Sequence, residues 1–371
     1  MRVYLFAVLI AIFFVENTKA ANVVATWDGS SSTDWNTAAN WSGDIVPFNG
    51  NGGDNYNVVI PTGLSNYPDI GTNSFTIRGI NSMADGASIT GSTGVLTLGT
   101  ATTTTITGTV TISCLITSTI VTNFTTTGGS DQLTISNVFS GTAGGITKSG
   151  SGIVILSGTN TYTGTTTLSA GTLVLGNTAA CGSAGNALAL NAGTLDLATA
   201  SSVNAYNTTI NGTVTIASDL DAAGAGITHT LGTLSIGTGD RLNLTVGSNV
   251  SSGTAGLTFG ATTLSAATPI FDQATGSLLT LGALTGNVAF TKQGAGQLTL
   301  GSGSARTSGV VTISAGTLQL GSTSALGTTG VTVTMTGGTL DLATATTVNA
   351  YPTTINGTAT IASNLAASGA G

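Results

Sequence analysis

Gly171-Thr-Leu-Val-Leu175 is followed by Gly193-Thr-Leu-Asp-Leu197, Gly232-Thr-Leu-Ser-Ile236, Gly296-Gln-Leu-Thr-Leu300, Gly316-Thr-Leu-Gln-Leu320 and Gly338-Thr-Leu-Asp-Leu342. An earlier form is Gly94-Val-Leu-Thr-Leu98. Apolar side chains fall at alternate positions in each phrase, the period of a strand with one buried face. From Gly171 the starts lie 22, 39, 64, 20 and 22 residues apart, near multiples of about 21. A fixed period in this range marks a solenoid or an array. Ile210-Asn-Gly-Thr-Val-Thr-Ile216 and Gly330-Val-Thr-Val-Thr334 supply further short strands, and Gly, Asn-Gly and Ser-Gly punctuate them as turns. A coil of this length with two or three such strands is the unit of a parallel β-helix. Stacked at roughly 4.8 Å, about 350 residues would give roughly 16 coils and a rod roughly 75 Å long. Leu, Ile and Val should form inward ladders, and the β-branched Thr should line the outside. A two-sheet sandwich gives no reason for this period.

The composition fits. Of 371 residues, 54 are Gly and 73 are Thr, together about a third, while charged residues make up 6%. No every-third-glycine period exists, so collagen is excluded, and a mean hydropathy of +0.39 excludes a disordered chain. Seven Lys and Arg against fourteen acids exclude a nucleic-acid binder. Residues 1–20 have the form of a secretory signal peptide: Arg2, an apolar run over 4–15, then a polar stretch to Ala20-Ala21. That run is too short to span a membrane, and no other stretch approaches one. Without residues 1–20 the charge is 5 − 13 = −8, and every remaining acid is Asp. A chain lacking Glu on its wet faces should contain few helices.

A longer echo overlies the coil period. Gly193-Thr-Leu-Asp-Leu-Ala-Thr-Ala-Ser-Ser-Val-Asn-Ala-Tyr206 returns 145 residues later as Gly338-Thr-Leu-Asp-Leu-Ala-Thr-Ala-Thr-Thr-Val-Asn-Ala-Tyr351, followed in both by Thr-Thr-Ile-Asn-Gly. Seven coils of even length would make such a block. The expected organisation is a signal peptide over 1–20, a Trp/Asn/Gly-rich cap over 21–68, and a repeat region over 69–371. Its modules lie near 144–287 and 288–371, the second incomplete. The second stops at Ala367-Ser-Gly-Ala-Gly371, where the first runs on from Gly226 into Ile227-Thr-His-Thr-Leu231. More coils and a surface anchor are therefore expected after Gly371.

The segment from Gly144-Gly-Ile-Thr-Lys-Ser-Gly-Ser-Gly152 through Asn160-Thr-Tyr-Thr-Gly164 to Ala170-Gly-Thr-Leu-Val-Leu-Gly176 closely resembles the passenger-associated β-strand repeat of autotransporter-type bacterial surface proteins. Residues 289–321 are a degenerate copy: Thr291-Lys-Gln-Gly-Ala-Gly296 survives, while Ala305-Arg-Thr-Ser-Gly309 replaces the Asn-Thr-Tyr-Thr-Gly centre. The resemblance implies a right-handed β-helix passenger on or outside a bacterial cell, structural in role and with no fixed catalytic residues. Such proteins usually end in a membrane-embedded β-barrel, which nothing in this sequence supplies.

Trp27, Trp35 and Trp41 fall within fifteen residues of one another. They could stack on sugars as an aromatic platform, or seal the first coil, whose end would otherwise expose core and strand edges; the cap is favoured. Elsewhere the candidates for chemistry are thin. Glycoside cleavage needs paired carboxylates, and only Asp219 and Asp221 pair, on one strand face; the second module has Asn364 and Ala366 there, so a solvated surface is expected. Asp196 and Asp341 recur between leucines, outward and solitary. Lys148 and Lys292 hold equivalent positions, which suggests solvation of turns; Arg78, Arg241 and Arg306 are scattered. Gly128-Gly-Ser-Asp131 and Gly237-Thr-Gly-Asp240 are partial echoes of a calcium-binding repeat. His229 is the only His, so zinc has no cage. Cys114 and Cys181, about three coils apart, should remain separate thiols. No catalytic, metal or cofactor residue is expected.

The leading expectation is a non-enzymatic secreted or cell-surface rod acting as stalk, coat or adhesin. Its partners would be surface glycans or a host or neighbour cell surface, through weak multivalent contact. The alternatives are a polysaccharide-active β-helix enzyme, a carbohydrate-binding protein, or an ice- or mineral-facing Thr-x-Thr array, hinted at by Thr102-Thr-Thr-Thr-Ile-Thr-Gly-Thr109.

Overall fold

The computed structural model describes residues 21–49, 55–100, 103–237, 239–266 and 268–364. The signal-peptide reading, the Asn/Gly stretch over 50–54, Thr102 of the threonine run, Thr238 and the terminal 365–371 lie outside the described residues.

The alternating phrases are strands, and each pairs in parallel with its counterpart one coil away. The chain thus winds as a parallel β-solenoid of about 14 turns with coils of ~22 residues. At the strand spacing its length is roughly 65 Å. The coil has three faces. Among the described residues the first face is a 12-stranded sheet running from Asn22–Thr26 to Leu284–Thr285. The second has 13 strands, from Ser88–Ile89 to Thr353–Ile355. The third is divided into two sheets. Four strands run from Phe75–Ile77 to Phe139–Ser140, and seven from Thr228–Thr230 to Thr360–Ala362. A single antiparallel bridge, Trp27 to Trp41, departs from the parallel rule among the described residues. A sandwich of antiparallel sheets is excluded. Helix is confined, among the described residues, to the one turn Ala38–Asn40, and no helix there is long and apolar enough to cross a membrane.

Alternation builds the core. On the second face Ile112, Ile135, Leu156, Leu175 and Leu197 stack in successive coils, all buried. Each such side chain contributes about 1.5–3 kcal/mol by leaving water. Outward on the first face, register places Thr103, Asn123, Thr147, Thr167, Ala189, Thr209, Ser235, Thr263 and Thr285 in one file. A second file beside it, Ser82, Thr105, Thr125 and Ser149, spans only four coils. The Thr-x-Thr array is therefore local.

The 145-residue module is not seven even coils. Along the second face, Leu195 pairs with Ile216, Ile216 with Leu244 and Leu244 with Gln273, so the last two of these coils are clearly longer than the first. The two long coils carry an inserted strand pair, Gly224–Ala225 with Val250–Ser252. Six coils after Gly193–Ala198 the second face holds Val331–Met335, and the next strand, Thr339–Leu342, already lies on the third face. The repeat distance is thus six coils plus one face, and the second module is turned by one face relative to the first.

The first-face sheet starts within the segment expected to be a separate cap, because Asn22–Thr26 and Asn55–Ile60 are its first two strands. At the other end the inward Ile355 and Ile361 are both 52% exposed, whereas their first-module equivalents Ile210 and Ile216 are 1% and 0% exposed under the next coil.

Candidate functional site

The three tryptophans form one buried cluster. Trp41 meets Trp27 edge-on at 4.9 Å between ring centroids and Trp35 at 4.6 Å. Trp35 in turn lies 5.5 Å from Phe75, in the first strand of the third face. The indole N–H of Trp27 donates to Asn66 O at 2.8 Å, and that of Trp41 to Trp35 O at 2.8 Å. The buried Asn40 ties the loop, accepting from Ser31 N and Ser32 N and donating to Asp34 O and Ser32 Oγ. Bridges from Asp34 to Asp69 and from Asp69 to Thr90 fasten this segment to the coils. All three rings are buried, so none offers a free face to a sugar.

The carboxylates are not where parity placed them. Asp219 ends its strand buried, and its carboxylate accepts from Leu220 N, Ser248 N, Ser248 Oγ and Asn249 N. It fastens the inserted loop of the next coil, and Asp221, beyond the strand, is exposed. They therefore do not form a solvated pair on one strand face, since the chain turns after Asp219. His229 is buried, with Nε2 2.9 Å from Asp219 O; burial pushes its pKa down. Asp196 lies on the outer face but is half-covered; burial, and then Asp219, push its carboxyl up to about 6. Asp341 is buried and accepts from Gln319 Nε2 and Asn364 N. Neither recurring acid is an open outward group.

Asp131 accepts from Thr127 Oγ1 and from the backbone of Gly108 and Gly128, which hold its carboxyl down to about 2. Its oxygens serve a turn. In the other calcium-like phrase Gly237 N donates to Asp240. Among the described residues no three His, Cys, Asp or Glu gather into a metal site. Cys114 and Cys181 are separate buried thiols, pushed up by burial to about 12 and about 11.

Lys148 and Lys292 solvate turns as expected, but from inside: both side chains are fully buried. Burial pushes each ammonium down to about 8, while surrounding carbonyls favour its charged form. Arg306 is buried too. Its Nε donates to Gly286 O at 3.0 Å, Nη2 donates to Val288 O at 2.5 Å, and the guanidinium lies 5.2 Å from the centre of the Phe290 ring. Equivalent repeat positions point Lys148 and Lys292 to turns and leave Arg306 among the scattered basic residues, but they do not place any of the three inside the coil. The signal to be read was parity, since Lys148 follows the inward Ile146 by two residues. On the surface Arg241 pairs with Asp272.

Outside, the third face carries a polar ladder. Thr258, Thr280, Thr299, Gln319 and Asp341 follow one another in register, joined by bonds from Gln297 Nε2 and Thr299 Oγ1 to Gln319 Oε1. Beside it a shallow groove of about 290 Å³ runs across four coils, lined by Thr254, Ser277, Leu278, Gln297, Thr317 and small residues. No charged side chain lines it.

Residues 146–175 and 290–320 each match the family model of the passenger-associated-transport repeat. No curated protein and no solved structure matches the chain. Two segments of this continuous parallel β-solenoid are therefore similar to the passenger-associated-transport repeat, which is consistent with an autotransporter passenger repeat protein.

Proposed function

We propose that this chain is the rod of a secreted or surface-displayed passenger, acting as stalk, coat or adhesin and without catalysis. The observation that carries the reading is that both repeats are turns of a solenoid and that their own charged residues, Lys148, Lys292 and Arg306, are buried. Lys148, Lys292, Arg306 and Asp219 each satisfy backbone or neighbouring groups, while the outer file of the first face is mostly Thr, Ser and Asn and the ladder of the third is mostly Thr and Gln. Such a surface suits weak contact repeated along a rod. Antibodies against residues 21–371 should label intact cells or their medium, and the purified chain should leave polysaccharides uncut. Protein confined to the cell interior, or glycan cleavage lost on changing Asp219 and Asp221 together to Ala, would sink the proposal.

The cap is the role we propose for Trp27, Trp35 and Trp41, and burial of all three rings supports it. Trp41→Ala should cost about 3–5 kcal/mol locally and speed hydrogen exchange in the first coils. A variant with unchanged exchange but lost glycan-array binding would favour the platform instead. A second reading, weak binding of a neutral glycan, is favoured by the uncharged groove across four coils. Gln297→Ala should weaken it, and no glycan retained by the native chain would end it.

A further inference from the structure

We propose that each repeat copy contains an ammonium site, a cage of turn carbonyls filled by the repeat's own lysine, which latches successive coils together. Lys148 points inward from Ile146–Gly150, with register neighbours Phe124 in the preceding coil and Leu168 in the next. Its Nζ donates to Ser149 O at 2.9 Å and Gly150 O at 2.8 Å in its own coil. It also reaches Ala170 O of the next coil at 3.1 Å and Thr126 Oγ1 of the preceding one at 3.2 Å. Lys292 repeats the arrangement between Phe271 and Ile313, donating to Gln293 O at 2.5 Å, Gly294 O at 2.8 Å and Ala315 O at 3.2 Å.

Two features make this a site rather than packing. Every acceptor within reach is a neutral oxygen: three backbone carbonyls in each copy and, at Lys148, the Thr126 hydroxyl as well. An ammonium offers three donors. Removing it would leave buried carbonyls unpaired, which costs more than the bonds themselves contribute. The second feature is room. A Cβ on Gly171 would lie 2.6 Å from Lys148 Nζ, and one on Gly316 2.8 Å from Lys292 Nζ. Both glycines also have positive φ, +70° and +64°. The Lys-x-Gly opening and the Ala-Gly ending of the repeat, one coil apart in sequence, are thus two halves of one cage. This assignment does not depend on what the outer faces bind.

Chemical rescue tests it. Lys148→Ala removes the atoms of a propylammonium ion and leaves the cage. Lys148→Met keeps the stem but no donor. Both should lower the thermal midpoint and raise amide exchange over residues 126–171 by at least about tenfold, a loss of one charge-assisted bond or more. n-Propylammonium chloride, compared with sodium chloride at equal ionic strength, should restore much of the loss in the Ala variant. It should leave the native chain and the Met variant unchanged. Folding of the Ala variant only in propylammonium would equally support the site; failure to fold in both salts would count against it. No propylammonium-specific gain, or a Met variant as stable as the native chain, would overturn it. Lys292→Ala provides the same test in the second copy.

Discussion

The repeat copies at 146–175 and 290–320 each hold a buried lysine on three turn carbonyls but differ around it. The first places its strands on the first and second faces, the second on the second and third. In the first copy the strand-free loop follows Phe139–Ser140 on the third face, with Thr161 N donating to Phe139 O at 3.0 Å. In the second it follows Leu284–Thr285 on the first face, with Ala305 N donating to Leu284 O at 3.1 Å. At the loop centre the buried Tyr162, edge-on to Phe139 at 5.6 Å, gives way to Arg306 over Phe290. Asn160 and Ser304 both join the coils on either side, to Ala180 O at 2.6 Å and Ala325 O at 2.6 Å. The repeat thus specifies a sequence of turns and contacts rather than a face. A coil closes equally well around either choice because the three faces share one strand geometry. What must be kept is an anchor at the loop centre with partners above and below.

The largest expected effect separates the two anchors. Tyr162→Ala should cost about 3–5 kcal/mol, as for a buried aromatic. Arg306→Ala should cost less than half as much, since it also removes a buried guanidinium that no carboxylate neutralises. Equal losses on chemical denaturation would break the comparison.

The recurring acids come next. Asp196 has a raised pKa in the fold, so the native state holds its proton where the unfolded chain has lost it. Stability from this group is present at pH 4 and is lost as pH rises through about 6. Asp196→Asn should therefore stabilise by about 1–2 kcal/mol at pH 7, allowing for partial exposure, and by little at pH 4. Asp341→Asn, which disturbs acceptors for Gln319 and Asn364, should destabilise by about 1 kcal/mol. Thermal melts at the two pH values distinguish them, and a stabilising Asp341→Asn would contradict the account.

The smallest effect concerns the latch. Thr126 accepts from Lys148 and from Gly152 N at 2.8 Å, but the equivalent Gln273 is buried with neither end of its amide paired among the described residues. Gln273→Thr should copy the first latch into the second and stabilise by about 1 kcal/mol. A destabilised variant would show that the glutamine fills space the threonine cannot.

The sequence made the solenoid legible because alternation and a fixed period between phrases are direct images of strand and coil. The repeat was legible from Thr-Lys-x-Gly-x-Gly and Ala-Gly-Thr-Leu. Face assignment was not: Gly171-Thr-Leu-Val-Leu175 and Gly316-Thr-Leu-Gln-Leu320 read alike yet lie on different faces. The shift comes from the two long coils that separate Ile216, Leu244 and Gln273 and from which corner carries a loop. Inward polar groups were hidden for another reason. Parity sends Lys148 and Lys292 into the core, but an average lysine belongs in water, and only the carbonyls of neighbouring coils reverse that preference. Whether Trp27, Trp35 and Trp41 stack on one another or on a ligand is likewise a matter of tertiary contact.

The rotation of the second repeat by one face is tested most directly by paired cysteines. Asp272 and Gln293 are register neighbours on the second face, at the strand spacing of roughly 4.8 Å, within disulfide reach. The buried native thiols should not compete. The rotation predicts that Asp272→Cys with Gln293→Cys closes a disulfide under mild oxidation, while Thr263→Cys with Thr291→Cys does not. A repeat stacked in the same orientation as the first would place Thr291 above Thr263 on the first face. Ready closure of that second pair, with the first remaining open, would contradict the rotation.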